Sequence, residues 1–315
     1  MSKENINRRQ FIKGTAAIAG AAFLSSCNGA ETKEESKKKT AADQVTLGKT
    51  GIKLSRLGIG AGTRNGSIQR NLGQEGFNNL IRYAYDQGIT YIDTADAYQT
   101  HTWVREAIKG LPREKLFIQS KIMPGRGRRG RAPANTPSTI ETLDRFRQEL
   151  GMDYIDSLLV HCQINADWDE QNKQMMDELE EAKQKGIIRS HGVSCHSIGA
   201  TTKAASLDWV DVNLVRINPQ GQNIDSSATE VFAQSSESDV PGVVEQLKIM
   251  RKNGHGIIGM KLVAEGLFTD FEQRKKALTW VMQQDIVDSV VLGLKSKEEI
   301  DEAIMHINNA FAETA

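Results

Sequence analysis

The chain has 315 residues, of which 25% are charged and 39% hydrophobic, and its 40 Lys and Arg balance 40 Asp and Glu. A chain of that length and polarity can build a sizeable core, and a formal net charge of zero argues against a nucleic-acid surface as its main purpose. Three cysteines, Cys27, Cys162 and Cys195, none in a CxxC spacing, are too few for a disulfide scaffold and suggest no metal site.

The N-terminus reads as an address rather than as fold. A twin arginine, Arg8 and Arg9, is followed by Phe11, Ile12 and Lys13, and then by the weakly apolar run GTAAIAGAAFLSS. A basic segment before a short apolar one is an export signal, and this apolar run is too short to span a bilayer. The pattern resembles the bacterial twin-arginine signal. Its end, LSSC at 24–27, resembles a lipobox, which makes Cys27 the lipidated residue. Residues 28–43 are charged and nearly free of apolar side chains, which predicts a disordered tether. The expected organisation is therefore signal 1–27, tether 28–43 and folded body 44–315. The expected protein is exported, faces the periplasm and touches the membrane by its lipid anchor alone.

The body alternates. A hairpin is predicted over TLGKTGIKLS, turning at 49–51. Eight short apolar, β-rich runs follow: RLGIGAG, TYIDTA, KLFIQSK, YIDSLLVH, SHGVSC, VNLVRI, HGIIGMKL and DSVVLG. Segments of helical period lie between them, among them QEGFNNLIRYAYDQG, STIETLDRFRQEL, VPGVVEQLKIMRKNG and KEEIDEAIMHINNAF. Repeated strand–helix units imply parallel pairing. Eight of them over about 270 residues predict an α/β fold, a (β/α)₈ TIM barrel with an N-terminal β-hairpin. GIGAG at 58–62 mimics a dinucleotide fingerprint, yet it lacks the third glycine and leads into a polar loop instead of a helix.

In such barrels the site lies at the C-terminal ends of the strands. The second run ends on Asp93 with Tyr98 just beyond, the third on Lys121 and the fourth on His161. A phenol is a poor acid at neutral pH. A neighbouring ammonium favours the phenolate and is expected to lower its pKa, with Asp93 holding Lys121 and His161 orienting a carbonyl oxygen. The set reads as a tuned general acid that protonates an oxyanion while hydride arrives at carbon, or the reverse.

From about Val45 to about Asn309 the chain resembles an aldo-keto reductase, on the stretches GITYIDTADAY, LFIQSK, LGMDYIDSLLVH, GIIRSHGVSC and VVLGLKSKEEIDEA. The family's catalytic Asp, Tyr, Lys and His fall on Asp93, Tyr98, Lys121 and His161. The resemblance implies NADP or NAD bound in extended form and a small carbonyl or sugar as substrate. It further implies that Ser194 holds the nicotinamide amide, with Cys195 and His196 following it and Leu214 in place of a glutamine. Asn218 keeps an Asn-Pro pair, Lys261 and Gly266 lie along the pyrophosphate, and Gly293, Lys295 and Glu302 belong to the adenosine-phosphate loop. There Glu299 stands where the family often has Arg, and Ala303 where it has Asn. The arginines of the 123–137 loop (126, 128, 129 and 131) overhang the site mouth as a solvated loop or as a clamp on an anion. Cys162 and Cys195 are expected as small buried thiols. Two other functions fit the barrel: a sugar-binding or scaffold lipoprotein without redox chemistry, and an isomerase or epimerase.

Overall fold

The computed structural model describes residues 38–124, 137–227 and 238–312. Eight parallel strands close into a barrel. They are β3 (Leu57–Gly60), β4 (Tyr91–Asp93), β5 (Phe117–Ile122), β6 (Ile155–Gln163), β7 (Ile188–Cys195), β8 (Val212–Arg216), β9 (Gly256–Met260) and β10 (Ser289–Leu292), and β10 closes on β3. The antiparallel pair β1 (Gln44–Thr46) and β2 (Lys53–Ser55) precedes them. Its turn passes through Gly51 in the left-handed region, φ 72°, where glycine carries no steric cost. Leu47, Ile52 and Leu54 of this hairpin pack with Tyr91, Phe117, Leu159, Val212 and Ile258. The hairpin thus joins the apolar filling of the barrel, whose interior is a packed core and not a pore.

The helices lie outside. Gly73–Asp86, His101–Ile108, Thr139–Leu150, Lys173–Gln184, Ile198–Ser206, Val240–Lys252, Phe271–Gln283 and Lys297–Ala312 follow the eight strands in turn. Their apolar stripes meet the outer faces of the strands in a second core that includes Phe77, Val104, Phe146, Leu179 and Leu247. Local signals set the ends. Ser138 and Glu141 form a reciprocal capping box, and that helix ends at Gly151 with φ 67°. No helix among the described residues is long and apolar enough to cross a membrane.

The eight predicted strands and the hairpin stand where the runs place them. The tether boundary does not. Ala41, expected to be disordered, is fully buried. Its N–H donates to Asn308 Oδ1 at 2.8 Å, and its carbonyl accepts from Leu57 N at 2.9 Å. Thr40 and Asp43 close a small turn through a 2.8 Å bond between their side chains. Alanines 41 and 42 are too small to register as an apolar run, yet they fit against the last helix and the start of β3. The export signal, Cys27 and the arginine-rich stretch 125–136 lie outside the described residues.

One register contact is unusually tight. Gly192 of β7 faces Val212 of β8, and a Cβ added there would lie 1.8 Å from the Val212 carbonyl oxygen. Gly192→Ala is therefore expected to lower the unfolding free energy by about 3 kcal/mol or more, read as an earlier midpoint in urea denaturation.

Candidate active site

Three neighbouring strands deliver three charged or titratable groups to one rim. β4 ends on Asp93, which is in register with Gln119 of β5, and β5 then carries Lys121. β6 brings His161. Lys121 is almost wholly buried. Its ammonium donates to both Asp93 carboxylate oxygens at 2.6 Å and to the Thr94 carbonyl at 2.9 Å. An ammonium has three protons, and all three have acceptors.

The Asp93 carboxylate has a second donor. Gln119 Nε2 reaches Asp93 Oδ1 at 2.8 Å and the Tyr91 hydroxyl at 2.8 Å. Gln119 lies inside the motif LFIQSK, but as an amide facing the barrel interior it has no sequence signature of its own.

Tyr98 sits on the short 3-10 turn Asp96–Tyr98 beyond β4. Its hydroxyl lies 3.4 Å from His161 Nε2, the two rings meet edge to face, and Lys121 Nζ is 4.8 Å from its ring centroid. Three things hold the turn. Arg145 clamps Asp96 with two bonds of 2.9 and 3.0 Å, Arg70 donates to the Tyr98 carbonyl, and the ring lies on Gly62. A Cβ at Gly62 would come within 2.2 Å of that ring. This explains the end of GIGAG: its last glycine makes room for an aromatic ring, not for a phosphate.

The expected direction of the Tyr98 shift is reversed. Burial pushes its phenol well above the ordinary value of 10, and the Asp93 charge adds to that. Burial outweighs the Lys121 ammonium, whose protons are directed at Asp93 and Thr94 rather than at the phenol. Burial likewise holds His161 well below 6.5, with Lys121 contributing, so the imidazole is neutral. Its Nδ1 has no hydrogen-bond partner among the described residues. Lys121 is itself lowered by burial against the pull of Asp93. The resting site is thus a neutral phenol beside a neutral imidazole, above a buried ion pair.

From this rim a cleft of about 550 Å³ runs past Gly60 and Gly62, the Lys261–Gly266 loop and the loop after β10. Asp93, Tyr98, Lys261, Gly266, Gly293, Lys295 and Glu302 all line it, as does Leu214. Lys261 pairs with Glu265 and is lowered to about 8, chiefly by burial. The loop it opens is left-handed at Lys261, Ala264, Glu265 and Gly266. Two expected residues are spent elsewhere. Asn218 is fully buried and uses its side chain on the Gln222 and Lys261 backbones. Ser194 accepts the Cys162 N–H at 3.0 Å. Cys162 and Cys195 are free thiols, Cys195 buried and Cys162 only partly so, with its sulfur 3.7 Å from His196 Nε2.

Sequence reasoning missed Arg274. It lies on the ninth strand's helix, Phe271–Gln283, in a stretch with no motif, and reaches the far end of the cleft to fork onto Glu302 at 2.6 and 2.9 Å. The cleft fits an extended nucleotide: glycines line it at four points (Gly60, Gly62, Gly266 and Gly293), with Lys261, Lys295 and Arg274 beside them. At Gly293 a Cβ would collide with Thr63 Oγ1 at 1.7 Å.

Comparison with known proteins bears on the family and the fold. The sequence profile described as Aldo/keto reductase family matches residues 56–279, and that of the TAT (twin-arginine translocation) pathway signal sequence matches residues 5–25. The chain is 24% identical over 304 residues to the NADH-specific methylglyoxal reductase of Escherichia coli, covering 84% of this chain and 93% of that one. It is 32% identical over 161 residues to the aldo-keto reductase YhdN of Bacillus subtilis, covering 50% of this chain and 48% of that one. Against the first curated relatives the match spans about half their length. Among solved structures, aldo-keto reductase AKR11C1 from Bacillus halodurans in its holo form superposes with a TM-score of 0.61 at 18% identity, covering 87% of this chain and 96% of that one. An aldo-keto reductase from Klebsiella pneumoniae in complex with NADPH gives 0.58 at 20% identity, over 88% and 90%.

Breaking one half of a buried ion pair leaves an unpaired charge in a dry site. Lys121→Met is therefore expected to cost about 3–5 kcal/mol of stability, and the double variant Asp93→Asn, Lys121→Met to cost clearly less, both measured by chemical denaturation.

Proposed function

The chain belongs to the aldo/keto reductase family, and from that premise we propose that it is an NAD(P)-dependent oxidoreductase interconverting a carbonyl and an alcohol. The observation that carries the reading is the meeting of Asp93, Tyr98, Lys121 and His161 on one rim, with Asp93 and Tyr98 lining the cleft described above. A binding protein has no need of a buried lysine beneath a tyrosine.

A bound nicotinamide supplies or accepts the hydride, and the chain's own residues do the rest. In reduction, Tyr98 gives its proton to the carbonyl oxygen as the negative charge develops there. Lys121 lies 4.8 Å from the ring centroid and stabilises the phenolate left behind, while Asp93 and the Thr94 carbonyl hold the ammonium in place. Neutral His161, through Nε2, aims the same oxygen at the phenol. Lys261, Gly266, Gly293 and Lys295 hold the nucleotide along the cleft. Neither Asn218 nor Ser194 faces the cofactor as freely as expected.

Small oxygenated aldehydes and sugars are the substrate class we favour. Support comes from full-length relatives such as the methylglyoxal reductase above, and from the polar rim. The twin-arginine signal fits a protein that folds around its cofactor before export and keeps it, and LSSC fits lipid attachment at Cys27 on the periplasmic side. The first test is to purify the mature protein from its native compartment, denature it and assay the supernatant for nicotinamide nucleotide. Stoichiometric release supports the retained-cofactor reading. No release, together with failure of added NADH and NADPH to bind, overturns the redox reading.

Tyr98→Phe is expected to lower kcat for carbonyl reduction by about 10²–10⁴ while leaving cofactor affinity within a few fold. Because burial holds the phenol protonated through neutral pH, reduction by the wild type should stay level there and fall only in alkali. Alcohol oxidation, which needs the phenolate, should rise with pH over the same range. Steady-state rates in both directions across pH check the sign.

A further inference from the structure

We propose that the far end of the cleft selects NAD(H) over NADP(H) through the carboxylates of Glu299 and Glu302. The inference rests on the oxidoreductase reading and adds to it which of the two nucleotides is used. The reacting carbon must lie against Tyr98, so a dinucleotide stretched along the cleft has its nicotinamide at that end. Its adenosine half then falls at the opposite end, which Arg274, Lys295, Glu299 and Glu302 line. The two nucleotides differ there by a single phosphate on the 2′-oxygen, a group with a charge near −2 at neutral pH.

That phosphate would need a cation, and both cations that the described residues place at this end face a carboxylate of the chain itself. Arg274 donates from Nε and Nη2 to the two oxygens of Glu302, and from Nη1 to the Thr269 and Phe268 carbonyls at 2.6 and 3.3 Å. Glu302 also receives His306 Nε2 at 3.3 Å, which holds its carboxylate in the fork. Lys295 Nζ lies 3.7 Å from Glu299 Oε1, and its backbone N–H donates to Glu299 Oε2 at 2.9 Å. Two positive and two negative groups leave this end neutral. Arg64 also lines the cleft, on the loop after β3, and does not change that local pairing. A ribose with a free 2′-hydroxyl can donate to a carboxylate, whereas a 2′-phosphate meets like charge and must break a bidentate fork to be received. The helix Lys297–Ala312 begins with Glu298 and Glu299, so its N-terminal dipole is already served by acids of the chain itself.

The test is an equilibrium titration of the full-length protein, freed of any endogenous nucleotide, with NADH and with NADPH, by calorimetry. Tenfold or tighter binding of NADH is expected. With Glu299→Gln and Glu302→Gln together, Arg274 and Lys295 are released and the preference should shift toward NADPH by a further tenfold or more, with NADH changed only a few fold. A measurement that needs no variant is the salt dependence of the ratio between the two dissociation constants. Repulsion is screened by salt, so the preference for NADH should narrow as salt rises, whereas a cationic 2′-phosphate site would widen it. Equal or tighter binding of NADPH by the wild type, or a ratio moving the other way with salt, overturns the proposal and leaves the oxidoreductase reading standing. Binding of neither nucleotide overturns both.

Discussion

The site depends on a charge that the fold cannot leave unpaired. Lys121 is carried almost wholly buried near the end of β5, and taking an ammonium out of water costs several kcal/mol unless acceptors meet each of its protons. Asp93 and the Thr94 carbonyl do so, and this fixes more than Lys121. It fixes the end of β4, because the partner must be the last residue of that strand and the next carbonyl must turn inward. It therefore fixes where the following turn leaves, and Tyr98 rides on that turn. Gln119 extends the constraint downward by tying the same carboxylate to Tyr91 in the barrel filling. A polar column thus descends from the rim into the barrel's apolar filling.

This arrangement divides labour differently from a simple ammonium–phenol pair. An ammonium that shared a proton with the phenol would lower its pKa in the resting state. Here the protons point away, at Asp93 and Thr94, and only the field of the charge reaches the ring. Such a field does little for a neutral phenol but acts fully once the proton has left. Interactions that strengthen only as charge develops are the ones that accelerate a reaction, so a phenol held high and a cation held close are compatible features of one acid.

The barrel and the rim could be read from the sequence because both have strict periodicities. Each buried parallel strand is a short apolar run, each run is followed by a helical segment, and a polar residue at the end of a run is an exception that draws notice. Asp93, Lys121 and His161 are exceptions of that kind. What escaped has no such contrast. Ala41 is small and sits in a charged neighbourhood, so nothing marks it as core. Asn218 looks like a ligand-binding amide until its backbone partners are known. Arg274 is one arginine in a polar helix, and its partner Glu302 lies on the next helix with no motif to link the two. The sign of the Tyr98 shift also lay beyond sequence, since it turns on how deeply the closed barrel buries the phenol and how near Asp93 lies.

Export raises a kinetic demand that the cleft must meet if the proposed function holds. Outside the cytoplasm a nucleotide that dissociates is not replaced, so residence time matters more than affinity at equilibrium, and residence is set by the dissociation rate. Two features of the cleft bear on that rate. The Lys261–Gly266 loop is wound through four left-handed positions and pinned by the Lys261–Glu265 pair. At the opposite end the Arg274–Glu302 fork and the Lys295–Glu299 pair tie the last helix to its neighbours. Paired charges thus hold the cleft wall at both places.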